Sequence, residues 1–166
     1  MMIKLRLAHE HYIQKTGKTM GHLYILLALA VGVLLPVQVG INVELARRVS
    51  SPITASFFSF MVGTIGLLIC IWIARVPWPG WSMVTTFPAW LWLGGLIGAF
   101  AVFGGVVSGP KIGFLALVAL VLAGQLVASL ILDHNGWLGF PIREMSLGRI
   151  SGTILLLIAV VLIHKY

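Results

Sequence analysis

Charge is what this chain has least of. Only 9% of its 166 residues are charged, and four of them are acids. A soluble domain carries about a quarter charged residues. With 60% apolar residues and a mean hydropathy of +1.07, the chain cannot clothe a water-facing surface. There is one cysteine, Cys70, inside an apolar run. That excludes an internal disulfide framework, and Cys70 reads as a packing residue. The five histidines are dispersed, apart from His9 and His11, and no spacing of His, Cys and acids suits a metal. No Ser-His-acid set, intramembrane acid pair or phosphate-cradling loop favours an enzyme or calls for a cofactor. The net charge of +7 comes from single or paired cations at the ends of apolar runs. They form no groove-sized basic patch, which argues against nucleic acid and for contact with lipid headgroups.

What the chain does have is a series of bilayer-length apolar runs. Crossing a membrane takes about 20 mostly apolar residues. Five segments qualify: 22–42, 55–74, 89–108, 112–132 and 148–163. All read as helices, since an open sheet would leave backbone groups unpaired in lipid and no ten-residue alternating segments suggest a barrel. The expected fold is an all-α integral membrane domain over 21–166 with the lipid bilayer as its solvent. The connections are short. Ser108-Gly-Pro-Lys111 reads as a tight hairpin, and Ser50-Ser51-Pro52 as a turn that starts the second helix. The segment from Arg75 to Pro88 carries three prolines and two tryptophans; with Trp72, Trp90 and Trp92 it forms an aromatic belt at headgroup level.

Residues 1–20 form a basic polar tail with too few apolar residues to span. It reads either as a short amphipathic helix on the membrane or as dispensable, with Met20 as the natural start. Small residues recur at helical spacing: Gly94, Gly98, Ala101, Gly105 and Gly109 in the third span, Ser59, Gly63 and Gly66 in the second, Gly148 and Gly152 in the fifth. Such stripes let helix backbones approach closely, and we read them as packing.

Seven polar positions stand out. Gln38 and Asn42 are four apart, so they share a helix face, and Pro36 and Gly40 loosen the backbone around them. Amides are retained in hydrocarbon for a reason: to bind a solute, or to clamp helices together. Gln125, Ser129 and Asp133 step by four along one face of the fourth span. Gln125 is mid-span and Ser129 one turn on. Asp133 opposes the helix dipole and reads as a cap of the turn through Gly136. Glu44 is the remaining candidate. It is either a proton-exchanging coupling acid or a local ion-pair partner of Arg47 and Arg48, three and four residues on. Arg149 opens the fifth span, within reach of a headgroup or Glu144.

Five spans put the chain ends on opposite sides. With the tail inside, Lys4, Arg6, Lys15, Lys18, Arg75, Arg143 and Arg149 face Arg47, Arg48, Lys111 and Lys165 across the bilayer. Without the tail the core has almost no cationic bias, and that bias is what sets orientation. Two copies inserted oppositely would rebuild an inverted-repeat transporter as an antiparallel homodimer; a fixed orientation would call for a related partner chain.

The strings Pro36-Val-Gln38-Val-Gly40-Ile-Asn42-Val-Glu-Leu45 and Ser59-Phe-Met-Val-Gly63-Thr resemble the start of the small, five-helix YdcZ-like branch of the drug/metabolite transporter superfamily. Trp92-Leu-Gly-Gly95-Leu-Ile-Gly98, Gly124-Gln125-Leu-Val-Ala-Ser129-Leu-Ile-Leu-Asp133-His-Asn-Gly136 and Gly148-Arg149-Ile-Ser-Gly152 are similar to it too. The resemblance implies a bacterial inner-membrane half-transporter, paired with itself or a related chain, that exports a small molecule. The expectation is therefore a secondary transporter working by alternating access on an ion gradient. Gln38, Asn42, Gln125 and Ser129 would bind substrate, Glu44 would couple it to the gradient, and Gly94, Gly98 and Gly105 would pack helices. The rival expectation is a non-transporting scaffold or accessory subunit, in which the same amides are clamps.

Overall fold

The computed structural model describes residues 2–139 and 141–165, with side chains described from residue 21 onward except that of His164. The charged side chains of the tail therefore lie outside the described residues. Six α-helices follow in order: α1 (Met2–Arg48), α2 (Pro52–Ile73), α3 (Trp81–Val84), α4 (Leu93–Ile112), α5 (Phe114–Asn135) and α6 (Leu147–Lys165). Two 3-10 turns, Ala89–Trp92 and Trp137–Gly139, precede α4 and follow α5. No strand occurs among the described residues. Helices long and apolar enough to cross a membrane cover Gly21–Arg48, Pro52–Ile73, Ala89–Ile112 and Phe114–Asn135, while Leu147–Ile163 is a shorter apolar stretch. The protein is an all-helical membrane protein.

The chain divides into two compact units, Met1–Gln38 and Val39–Tyr166. The first is helical from Met2 and runs through Pro36 without a break. Proline in a helix removes one backbone donor, so the carbonyl four residues earlier, on Gly32, goes without its usual partner.

In the second unit α2 packs on α4, α4 on α5, and α5 on α6. Small side chains make the closest contacts. Val43 and Ala46 of α1 meet Ala55 of α2 and Val106 of α4, with Val39, Leu45, Val49 and Val102 around them. Ala119 and Ala123 of α5 meet Val160 of α6. Without a hydrophobic drive between helices in lipid, dispersion at close approach is what holds such contacts, and it favours Ala, Gly and Val. The large apolar side chains point outward instead: Phe57, Leu96 and Phe100 are all exposed.

Several junctions differ from the sequence expectation. The third and fourth spans do not turn over Ser108–Lys111. Helix α4 continues through Pro110 to Ile112, and the turn is the single residue Gly113. Its φ of 85° and ψ of 149° are open only to glycine. The Gly113 N–H donates to Gly109 O and its carbonyl accepts from Leu117 N–H, so one residue closes α4 and opens α5. Cys70 is exposed on α2 and not packed, because a helix in lipid has no need to bury a thiol inside its own chain.

The glycine stripes are also used selectively. A Cβ on Gly98 would lie 3.4 Å from the Phe60 ring, on Gly105 3.4 Å from Val39, and on Gly109 3.3 Å from Leu117. At Gly94, Gly63, Gly66, Gly148 and Gly152 it would meet nothing within 4 Å. Gly63, Gly66 and Gly94 thus have no close neighbour opposite them, while Gly148 and Gly152 border an open space beside α5. At the start of α2, Ser51 caps the helix by accepting from Thr54 N–H at 3.2 Å, with Pro52 in the first turn. The belt tryptophans are open to their surroundings; Trp72 and Trp81 are each 80% exposed.

Candidate functional site

Asn42 sits six residues before the end of α1, next to Val43 of the buried cluster. Its side chain is 3% exposed, and its Nδ2 has no hydrogen-bond partner. Ser56 on α2 is the other buried polar side chain among the described residues, and the two differ. The Ser56 hydroxyl donates to the Pro52 carbonyl at 2.9 Å and is satisfied by its own helix. The Asn42 amide makes no such bond to its own helix and keeps its donors idle. An unmade hydrogen bond in a buried place costs about 1–3 kcal/mol. Nothing in the chain pattern marked Ser56 as buried, since a serine near a helix start reads as a cap.

The other proposed binding residues are placed differently. Gln38 is exposed and makes no hydrogen bond to a described residue. Gln125 and Ser129 lie one turn apart on α5, both exposed and both without a hydrogen bond within the described chain. Amides and hydroxyls cannot rest against lipid tails without loss, so these faces need water, a solute or another protein surface. Ser129 lines a cavity of about 260 Å³ between α5 and α6, together with Asp133, Arg149 and Gly152. A larger hollow of about 780 Å³ lies at the end of α2, walled by Trp72, Arg75 and Trp78.

Glu44 is half exposed at 52%, and both its oxygens face cations of its own helix. Arg48 Nε donates to Oε1 at 2.9 Å, and Arg47 Nη1 stands 3.8 Å from Oε2. The three- and four-residue spacings place these partners on one helix face, as the sequence suggested.

Asp133 does not cap the turn after α5. Gly136 takes the left-handed conformation that ends the helix, with its N–H on Leu132 O. The Asp133 carboxylate instead accepts from Arg149 Nη2 at 2.7 Å. Arg149, expected to meet a headgroup or Glu144, is thereby committed to the end of α5. The cation offsets the unfavourable position of an acid at a helix C-terminus. Sequence spacing could not reveal this pair, because a loop of undefined path separates its members.

Comparison with known proteins bears on the whole chain. The family model described as "Putative inner membrane exporter, YdcZ" matches residues 23–162. The chain is 27% identical over 137 residues to "Inner membrane protein YdcZ" of Escherichia coli (strain K12), covering 82% of this chain and 91% of that one. No solved structure matches it.

Proposed function

The chain belongs to the YdcZ family of inner-membrane exporters, and from that premise we propose that it is half of a secondary transporter that carries a small solute by alternating access in a dimer. It is a multi-pass protein of the inner membrane. Its work on this reading is carriage and not bond-making. The passage would be lined by Asn42 with Gln125 and Ser129, and a second copy or a related chain would complete it.

The observation that carries the reading is the idle amide of Asn42. A buried donor without a partner is retained against its cost where a transient partner uses it. A solute passing the end of α1 would supply the missing acceptor. Gln125 and Ser129 support the same reading from another helix, since a polar face left open on α5 needs something other than acyl chains against it. Glu44 is the coupling acid of this scheme. Its ion-pair partners are arginines of its own helix, so it can exchange partners without unpacking the core. An ion gradient then drives the cycle.

The test is a proteoliposome assay with a pH-reporting dye trapped inside and a pH gradient imposed. A panel of small cationic and neutral solutes is added in turn. The reading expects at least one solute to dissipate the gradient through the wild-type protein, and Asn42→Ala to abolish that flux while helix content stays intact. Flux unaltered in Asn42→Ala removes the site assignment; no solute-dependent flux with any member of the panel favours a non-transporting subunit.

A further inference from the structure

We propose that the cavity between α5 and α6 binds a zwitterionic phosphate head, its ammonium against Asp133 and its phosphate against Arg149. It shares Ser129 with the export reading but is tested by binding alone, with no transport required.

The cavity has the right size and lining. A single water needs roughly 10–15 Å³ of such space, so an open groove of about 260 Å³ has room for a compact polar head such as phosphoethanolamine. Leu126 and Leu130 form an apolar side. Gly148 and Gly152 leave the opposite side open, since a Cβ at either would meet nothing within 4 Å.

The ion pair is unsaturated on both members. Asp133 Oδ2 accepts from Arg149, and Oδ1 takes no hydrogen bond within the described chain. A guanidinium has five N–H donors. Arg149 directs Nη1 to the Arg143 carbonyl and Nη2 to Asp133, which leaves three for a ligand. The pair is reachable, with Arg149 35% and Asp133 25% exposed. The Ser129 hydroxyl adds a further unpaired group beside it.

Charge selects the ligand class. A simple anion drawn to Arg149 would meet the Asp133 carboxylate, and a simple cation would meet the guanidinium. A zwitterion satisfies both without like-charge contact. Guanidinium favours phosphate through paired N–H···O bonds, and a carboxylate suits a compact ammonium.

Position indicates the level in the membrane. Asp133 lies two residues before the end of α5 and Arg149 two after the start of α6. The turn between them carries the exposed Trp137. Helix ends with an interfacial tryptophan belong among headgroups. A zwitterionic lipid can reach this cavity from the bilayer, and a soluble zwitterion can reach it from water.

Native mass spectrometry of the purified full chain in detergent tests this, with equimolar dioleoyl phosphatidylethanolamine and dioleoyl phosphatidylglycerol added. Phosphatidylethanolamine should be retained in preference. Gly152→Leu fills the cavity and Arg149→Gln removes the phosphate partner. Each should reduce the retained lipid by at least about tenfold with helix content unchanged. Should Gly152→Leu not fold, Ser129→Leu fills the same space from α5. Competition by free phosphoethanolamine supports the site and makes the head alone sufficient. Retention without such competition supports it with the bilayer lipid as the source. Equal retention of the two lipids, or full retention of phosphatidylethanolamine in the cavity-filling and Arg149→Gln variants, overturns the proposal.

Discussion

The Arg149 guanidinium reaches 16 residues back along the chain to meet the Asp133 carboxylate at 2.7 Å, and this one contact ties the start of α6 to the end of α5. Two further hydrogen bonds to backbone carbonyls reinforce it. Arg143 N–H donates to the Asp133 carbonyl at 2.8 Å, and Arg149 Nη1 donates to the Arg143 carbonyl at 3.2 Å. The longest loop among the described residues is thus pinned at its base by one acid and two arginines, which adds a polar tie to the apolar contact of α6 with α5.

Asp133→Asn should lower the unfolding free energy by about 1 kcal/mol, the value for a charge-assisted bond discounted for partial exposure. Thermal unfolding in detergent measures it. The exchanged pair Asp133→Arg with Arg149→Asp should recover part of the loss, because the two side chains meet directly. A double variant no better than the sum of its single variants would show that the pair carries no coupling energy.

Asn42→Leu should leave stability unchanged or raise it by about 1 kcal/mol, since it removes an unpaired buried donor while keeping the branched outline of the side chain. Solute flux should nevertheless be lost. This opposite movement of stability and flux separates a binding amide from a clamp. A clamp variant would lose stability as well. Unfolding curves and flux from the same preparations decide it.

Gly113→Ala should be among the most damaging single-methyl changes in the protein. Its backbone, at φ 85° and ψ 149°, lies where a Cβ is strained, at about 1–3 kcal/mol. Gly109→Ala should be milder, because its new methyl crowds the tip of Leu117 at 3.3 Å, which can swing aside, and meets the Phe114 ring at an ordinary 3.7 Å. The ranking is checked by the unfolding temperatures of the two variants side by side.

Glu44→Gln should change stability by less than about 1 kcal/mol, because exposed pairs within one helix contribute little. If Glu44 couples flux to the gradient, uphill movement driven by pH should stop while solute exchange at equal pH continues. Loss of both activities together would place Glu44 elsewhere in the mechanism.

Much of the architecture was legible before the fold. The apolar runs marked the four long helices and the short sixth one, and Ser51-Pro52 marked the start of α2. Both signals act along the chain: hydropathy accumulates residue by residue, and a cap needs only its nearest backbone neighbours. The break between α4 and α5 was misplaced by a few residues because Pro110 is the louder signal. A proline in the last turn is tolerated, and Gly113 alone can take the conformation the turn requires.

The site was legible only as a set of residue types. Gln38, Asn42, Gln125 and Ser129 could be picked out because polar groups are scarce in lipid-soluble segments. Which of them is buried depends on how each helix is rotated against its neighbours, and no local pattern encodes that rotation. Asn42 was turned into the α1–α2–α4 contact and left unpaired, while Gln125 was turned outward. The same rotation chose Gly98, Gly105 and Gly109 as contact positions and left Gly94 open.

By itself the amino-acid order determined the solvent, the helical class and the approximate ends of the spans. Lipid tolerates no unsatisfied backbone, and about 20 apolar residues suffice to cross it. Tertiary structure alone decided that Asp133 answers Arg149, that Asn42 keeps an idle donor, and that a hollow opens between α5 and α6. Each of these needs atoms from separate helices brought within a few ångströms, which only packing can do.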